Sequence, residues 1–273
     1  MNLDAALALL SEDMAAPLDV AELALCLARD EYPDLDVEAY LGEINALAHE
    51  ARSYVRGSLE ARVNGLCRYL FHELGFHGNT REYYDPANSY LHLVLERRAG
   101  IPISLSVVAM AIGARVGLDI AGVGLPGHFV VKAMDDDEEV LFDPFHGGRF
   151  LTAVDCQNLV RQVTGQEFIA SADTLQALPL GFIILRMLNN LKGIYLKGKD
   201  YPRAIRVMER MVQLQPDDPS QHRDLGTSLL HAGQPGKAID HLADYLAAFP
   251  KADDADVVRL LLKEARSYIA GSN

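Results

Sequence analysis

From Ile103 to Ala114 the chain carries no charged residue, and small or apolar side chains fall on every side of a helical wheel. Such a run, opened by Gly100-Ile101-Pro102 and closed by Gly117, predicts a helix buried on most of its faces. It is too short and too interrupted to span a bilayer. Two segments of alternating pattern follow, 127–134 and 138–143, around the acidic run Asp135-Asp136-Asp137. They predict an antiparallel hairpin. A two-residue turn at Asp135-Asp136 would set Met134 opposite Asp137 and His128 opposite Asp143. Opposed residues project to one face with Cβ atoms about 4.5–5.5 Å apart. The carboxylate could then accept from the imidazole and favour its charged form. The alternative is that the two residues merely end neighbouring strands. A turn one residue longer would slip the register.

Residues 1–97 read as helical throughout. Asp19 to Asp30 is amphipathic, Asp36 is placed to cap VEAYLGEINALAHEARSYV, and a third helix covers 58–74 up to Gly75. After the loop HGNTREYYDPANS, Ser89 is placed to cap YLHLVLERR, which Gly100 stops. Beyond the hairpin, Gly147-Gly148 precede a short strand at 149–151. Asp155 then stands near the start of a helix running into the 160s, and 166–178 reads as a connector or short helix.

From about residue 180 the pattern repeats. Leu191 aligns with Leu225, Ala204 with Ala238 and Pro216 with Pro250, each 34 residues apart. Tyr195, Met208 and Met211 likewise align with Leu229, Leu242 and Tyr245. A 34-residue helix-turn-helix unit with a small Ala on its second helix and Pro after it resembles the tetratricopeptide repeat. Two units bury too little alone. A helix at 182–190 and the segment DADVVRLLLKEARSYI are the expected flanking partners.

Composition narrows the function classes. A net charge of −13 over 273 residues opposes a nucleic-acid surface or an anionic membrane as partner. The N-terminal stretch lacks the positive segment and long apolar core of a secretory signal. Cys26, Cys67 and Cys156 are odd in number and widely separated, so they read as reduced core thiols in a cytoplasmic protein. His72 and His77 stand five apart across a Gly break, without metal-ligand spacing, and no metal or other cofactor is expected.

The stretch LFHELGFHGNTREYYDPANSYLHLVLERRAGIPISLSVVAMAIGARVGL, with GVGLPGHFVVK and DPFHGG, resembles the SirB-type transglutaminase-like proteins of bacteria. ARDEYPDLDVEAYLGEINALA and the repeat-bearing tail extend the resemblance over nearly the whole chain. It implies an α+β fold: a helical N-terminal region around a papain- or transglutaminase-like core with a small antiparallel sheet, then an α-helical tetratricopeptide tail. The boundaries expected are 1–165 for the core, 166–180 for a connector and 181–273 for the tail. The tail divides into repeats at about 185–218 and 219–252 and a capping helix at 254–270.

In the wider superfamily a Cys nucleophile starts a buried helix, with His and Asp on successive strands. The resemblance therefore assigns His128 and Asp143 to the latter two roles. At the nucleophile position this chain has no cysteine. Ser104 matches best, then Ser106, with Pro102 third. A serine hydroxyl does not ionise as a thiol does beside a helix N-terminus, and needs a well-placed base. Asn88, Ser106 and His146 are candidate cleft-lining residues, although turn chemistry is the first reading of Asn88. The expectation is a cytoplasmic protein-interaction or regulatory protein, a pseudoenzyme binding protein or peptide through its repeats. The alternative is a hydrolase or acyl-transferase using Ser104, His128 and Asp143.

Overall fold

The computed structural model describes residues 1–136 and 138–271. Six helices come first: α1 (Leu3–Glu12), α2 (Val20–Ala28), α3 (Val37–Ala51), α4 (Leu59–Cys67), α5 (Leu91–Arg97) and α6 (Pro102–Arg115). Their starts follow local chemistry. Asp19, Asp36 and Ser58 each accept backbone N–H groups at the N-termini of α2, α3 and α4. The third predicted helix holds through Glu73, but its last six residues, Arg68–Glu73, form a wider π turn. Ser89 does not cap α5. Asp85 instead caps a short 3₁₀ turn, Pro86–Asn88, the N-cap of α5 is Tyr90, and the Ser89 hydroxyl has no hydrogen-bond partner among the described residues.

Two short parallel strands, β1 (His77–Gly78) and β2 (Ala99–Gly100), tie the loop before α5 to the start of α6. A four-stranded antiparallel sheet follows in the order β3 (Asp119–Leu125), β4 (His128–Met134), β5 (Glu139–Asp143) and β6 (Arg149–Leu151). The predicted turn needs correction. Met134 pairs with Glu139 and Val131 with Phe142, so the register is displaced by two residues from that of a two-residue loop. Asp137, the expected partner of Met134, lies outside the described residues. Displacement by two preserves parity, and His128 and Asp143 remain on one face as diagonal rather than direct neighbours.

β4 is buried from His128 to Ala133, which requires cover on both faces of the sheet. Helix α6 packs on β3 and β4, and α7 (Ala153–Thr164) packs on β4. Val123, Leu125, Val130, Cys156, Val160 and Leu175 close one core cluster. Thr152 and Asp155 form a reciprocal capping box at the start of α7. Cys26, Cys67 and Cys156 are buried free thiols, and burial pushes Cys67 up to about 12 and Cys156 up to about 11.

The tail comprises α8 (Leu180–Lys197), α9 (Tyr201–Leu214), α10 (Pro219–His231), α11 (Pro235–Ala248) and α12 (Ala255–Gly271). The expected separate helix at 182–190 is instead the first half of α8. Every apolar pair aligned 34 residues apart is buried, from Leu191 and Leu225 to Met211 and Tyr245. Ala204 and Ala238 are fully buried, as close helix approach requires. By contacts the chain divides into two units. The first is Met1–Ala6 with Ala15–Met187, and the second is Leu7–Met14 with the chain from Leu188 onward. Among the described residues no helix is long and apolar enough to cross a membrane.

Candidate functional site

His128 opens β4 and Asp143 closes β5, which brings both to the same end of the sheet. His128 Nε2 lies 2.8 Å from Asp143 Oδ2, with the His 5% exposed and the Asp 1% exposed. Gly127, just before His128, lets the chain pass close to the end of α7. Its φ is +70°, and a Cβ there would meet Thr164 Cγ2 at 2.8 Å. The His128 carbonyl accepts from the Arg186 guanidinium, which also donates to the Leu125 carbonyl at 2.7 Å.

Asp143 is held from a second side. The chain turns through a 3₁₀ segment, Pro144–His146, whose start Asp143 itself caps: Oδ1 accepts from Phe145 N at 2.9 Å and His146 N at 3.3 Å. That turn returns the His146 ring, so its Nδ1 stands 2.7 Å from the same Oδ2. Burial alone would raise the Asp143 carboxyl, but hydrogen bonds from His128 and His146 overcome it and hold it well below the usual carboxylate range. Asp143 in turn raises His146, against the lowering effect of its partial burial. The spacing Asp-x-x-His around DPFH is the sequence signal for this third member, legible once a 3₁₀ turn is assumed there.

The serines lie elsewhere. Ser104 is the third residue of α6 and is fully buried. Its Oγ accepts from Ile101 N at 3.0 Å and donates to the Asn88 carbonyl at 2.6 Å, closing the helix start. Gly100 leaves room for this, since a Cβ there would lie 2.6 Å from the hydroxyl. Ser106 Oγ donates back to the Pro102 carbonyl at 2.8 Å. Asn88 is also buried. Its amide donates to the Glu82 carbonyl at 2.7 Å and accepts from Asn79 at 3.0 Å, so it fastens the loop 79–88 to itself.

A cavity of about 460 Å³ opens beside the His–Asp pair. It is lined by His128 and His146, by Tyr83, Tyr84 and Phe145, and by Gly127, Gln162 and Val163. From the start of α6 the lining includes Pro102, with neither Ser104 nor Ser106 among the lining residues. The Phe145 ring stands edge-on to His128 at 6.0 Å and to His146 at 5.2 Å, giving the imidazoles an apolar wall. Such an arrangement can bind and orient a ligand, and can hold a proton at His146, which Asp143 favours in its charged form. It offers no hydroxyl or thiol from α6.

The sequence pattern of the transglutaminase-like superfamily matches residues 38–189, and that of the tetratricopeptide repeat matches 191–263. A UPF0162 protein of Xylella fastidiosa is 39% identical over 89% of this chain and 88% of its own length. A UPF0162 protein of Pseudomonas aeruginosa is 29% identical over 76% of each chain. Human F-box only protein 21 is 32% identical over 42% of this chain and 20% of its own length.

Proposed function

The chain belongs to the transglutaminase-like superfamily, and from that premise we propose a protein-interaction or regulatory protein whose cleft binds without covalent chemistry. The tetratricopeptide tail is the element for a protein or peptide partner, since stacked repeats present extended binding surfaces. The cavity beside His128 is a second, smaller binding surface, of a size that suits a small ligand or a peptide side chain. A cytoplasmic location belongs to the same reading, and the charge of −13 disfavours nucleic acid and anionic membrane as partners.

The observation that carries the non-covalent reading is the state of Ser104. A serine nucleophile needs a base within hydrogen-bond reach and an open path to the substrate. Ser104 Oγ is fully buried and its proton is already given to the Asn88 carbonyl. The rival reading, a hydrolase or acyl-transferase using Ser104, His128 and Asp143, has the His128–Asp143 bond in its favour. A serine-directed acylating probe on the full chain separates the two. We expect no adduct at Ser104 by peptide mass spectrometry. An adduct on the wild-type chain that disappears in Ser104→Ala overturns the proposal.

A further inference from the structure

We propose that His128, Asp143 and His146 form a binding site for a divalent transition-metal ion of the zinc type, with its open side on the cavity. This goes beyond the binding reading above and does not rest on it. The three residues offer two imidazole nitrogens and one carboxylate oxygen, all within 4.8 Å of one another. A set of two nitrogens and one oxygen suits borderline metals such as zinc, rather than calcium or magnesium, which favour oxygen alone.

The distances suit conversion. His128 Nε2 and His146 Nδ1 stand 2.8 and 2.7 Å from the one oxygen, Asp143 Oδ2. With metal–ligand bonds of about 2.0–2.2 Å, donors around a tetrahedral ion stand roughly 3.3 Å apart. Spreading the two rings by about half an ångström on each side makes room. His146, with its side chain half exposed, has the freedom to do so, while at His128 the sheet fixes the backbone and leaves the ring its side-chain torsions.

The surroundings resemble a metal site in two further respects. The Asp143 oxygen not offered to the ion is anchored by two backbone N–H groups, those of Phe145 and His146, and this orients the carboxylate. The fourth side faces the cavity, where water or a bound ligand would complete the coordination. Three protein ligands and one open position are the pattern of sites that bind exchangeable groups.

The test uses the full chain, stripped with a chelator and then dialysed against zinc at micromolar free concentration. Retained metal is measured by elemental analysis, beside His146→Ala and a control, His241→Ala, in the tail. His146→Ala removes a partly exposed ring, and circular dichroism checks that the variant is folded. We expect one zinc per wild-type chain and per His241→Ala chain, with affinity lowered at least about tenfold in His146→Ala. Cobalt in place of zinc should give visible bands that the His146→Ala chain lacks. No retained zinc in the wild type overturns the proposal. So does equal retention by a folded His146→Ala chain, or retention lost only in His241→Ala.

Discussion

Helices α6 and α9 are both fourteen residues long, yet eleven positions of α6 are buried and only six of α9. In α9 the buried set, Ala204, Ile205, Val207, Met208, Met211 and Leu214, is one stripe, and the rest of the surface meets water. In α6 there is no polar face to lose. Its two serines are buried with the apolar residues and turn their hydroxyls onto backbone carbonyls. The difference teaches how to read a polar residue in each setting. On a stripe helix it is solvated by default. In a helix buried all round it must find a partner inside, here the helix's own Pro102 carbonyl for Ser106 and the Asn88 carbonyl of the preceding 3₁₀ turn for Ser104.

The largest test of this contrast is in the core. Phe142→Ala removes a fully buried ring from β5 and should cost about 3–5 kcal/mol, read as a lower denaturant midpoint. A cost below 1 kcal/mol would mean that the sheet is not packed as tightly as its burial implies. In the tail, Ala238→Leu places a branched side chain where the fully buried Ala sits, and overpacking of this kind costs about 1–3 kcal/mol. Faster amide exchange in α10 and α11 would record it, and unchanged exchange would contradict close helix approach at Ala238.

The smallest effect is also the sharpest, because the two regions should answer pH with opposite signs. His146 is raised above its ordinary value of 6.5 by the Asp143 hydrogen bond. Its stabilisation is present below 6.5 and is lost as pH rises through the raised value. His241 is lowered, by burial first and then by His222, whose Nδ1 is 3.0 Å away. Its neutral form is the one the fold accepts, so stability is lost as pH falls through 6.5 and regained above it. Asp143 adds an acid limb, lost only as pH falls below 3.8 toward its depressed value. Histidine titrations by NMR on the chelator-treated chain check the signs. A His146 value below that of His241 would break the comparison.

Much of this was legible in particular residues. The cap at Asp36 lies where local chemistry placed it, Asp155 stands in the first turn of α7 behind its cap Thr152, and the 34-residue period picked out Ala204, Ala238 and their apolar companions as buried. The His128–Asp143 contact was reached through a turn of the wrong length. It survived because the error was two residues, and side chains on a strand repeat every two. Ser89 shows the opposite case. Its position suited a cap, but Asp85 begins a 3₁₀ turn first and leaves Ser89 behind it. Strand β3, rich in glycine, carried too weak an alternation to announce itself beside the hairpin.

The sequence by itself determined most of the helices with their polar and apolar sides, the β4–β5 hairpin, the repeat and the pairing face of His128 and Asp143. Those follow from periods of two, 3.6 and 34, which need only neighbouring residues. Tertiary structure alone decided that Pro102 and not Ser104 lines the cavity, and that His146 joins Asp143. A helix that is apolar all round has no pattern to set its rotation, so packing sets it. A 3₁₀ turn can return a ring to a carboxylate only where the sheet has already fixed that carboxylate.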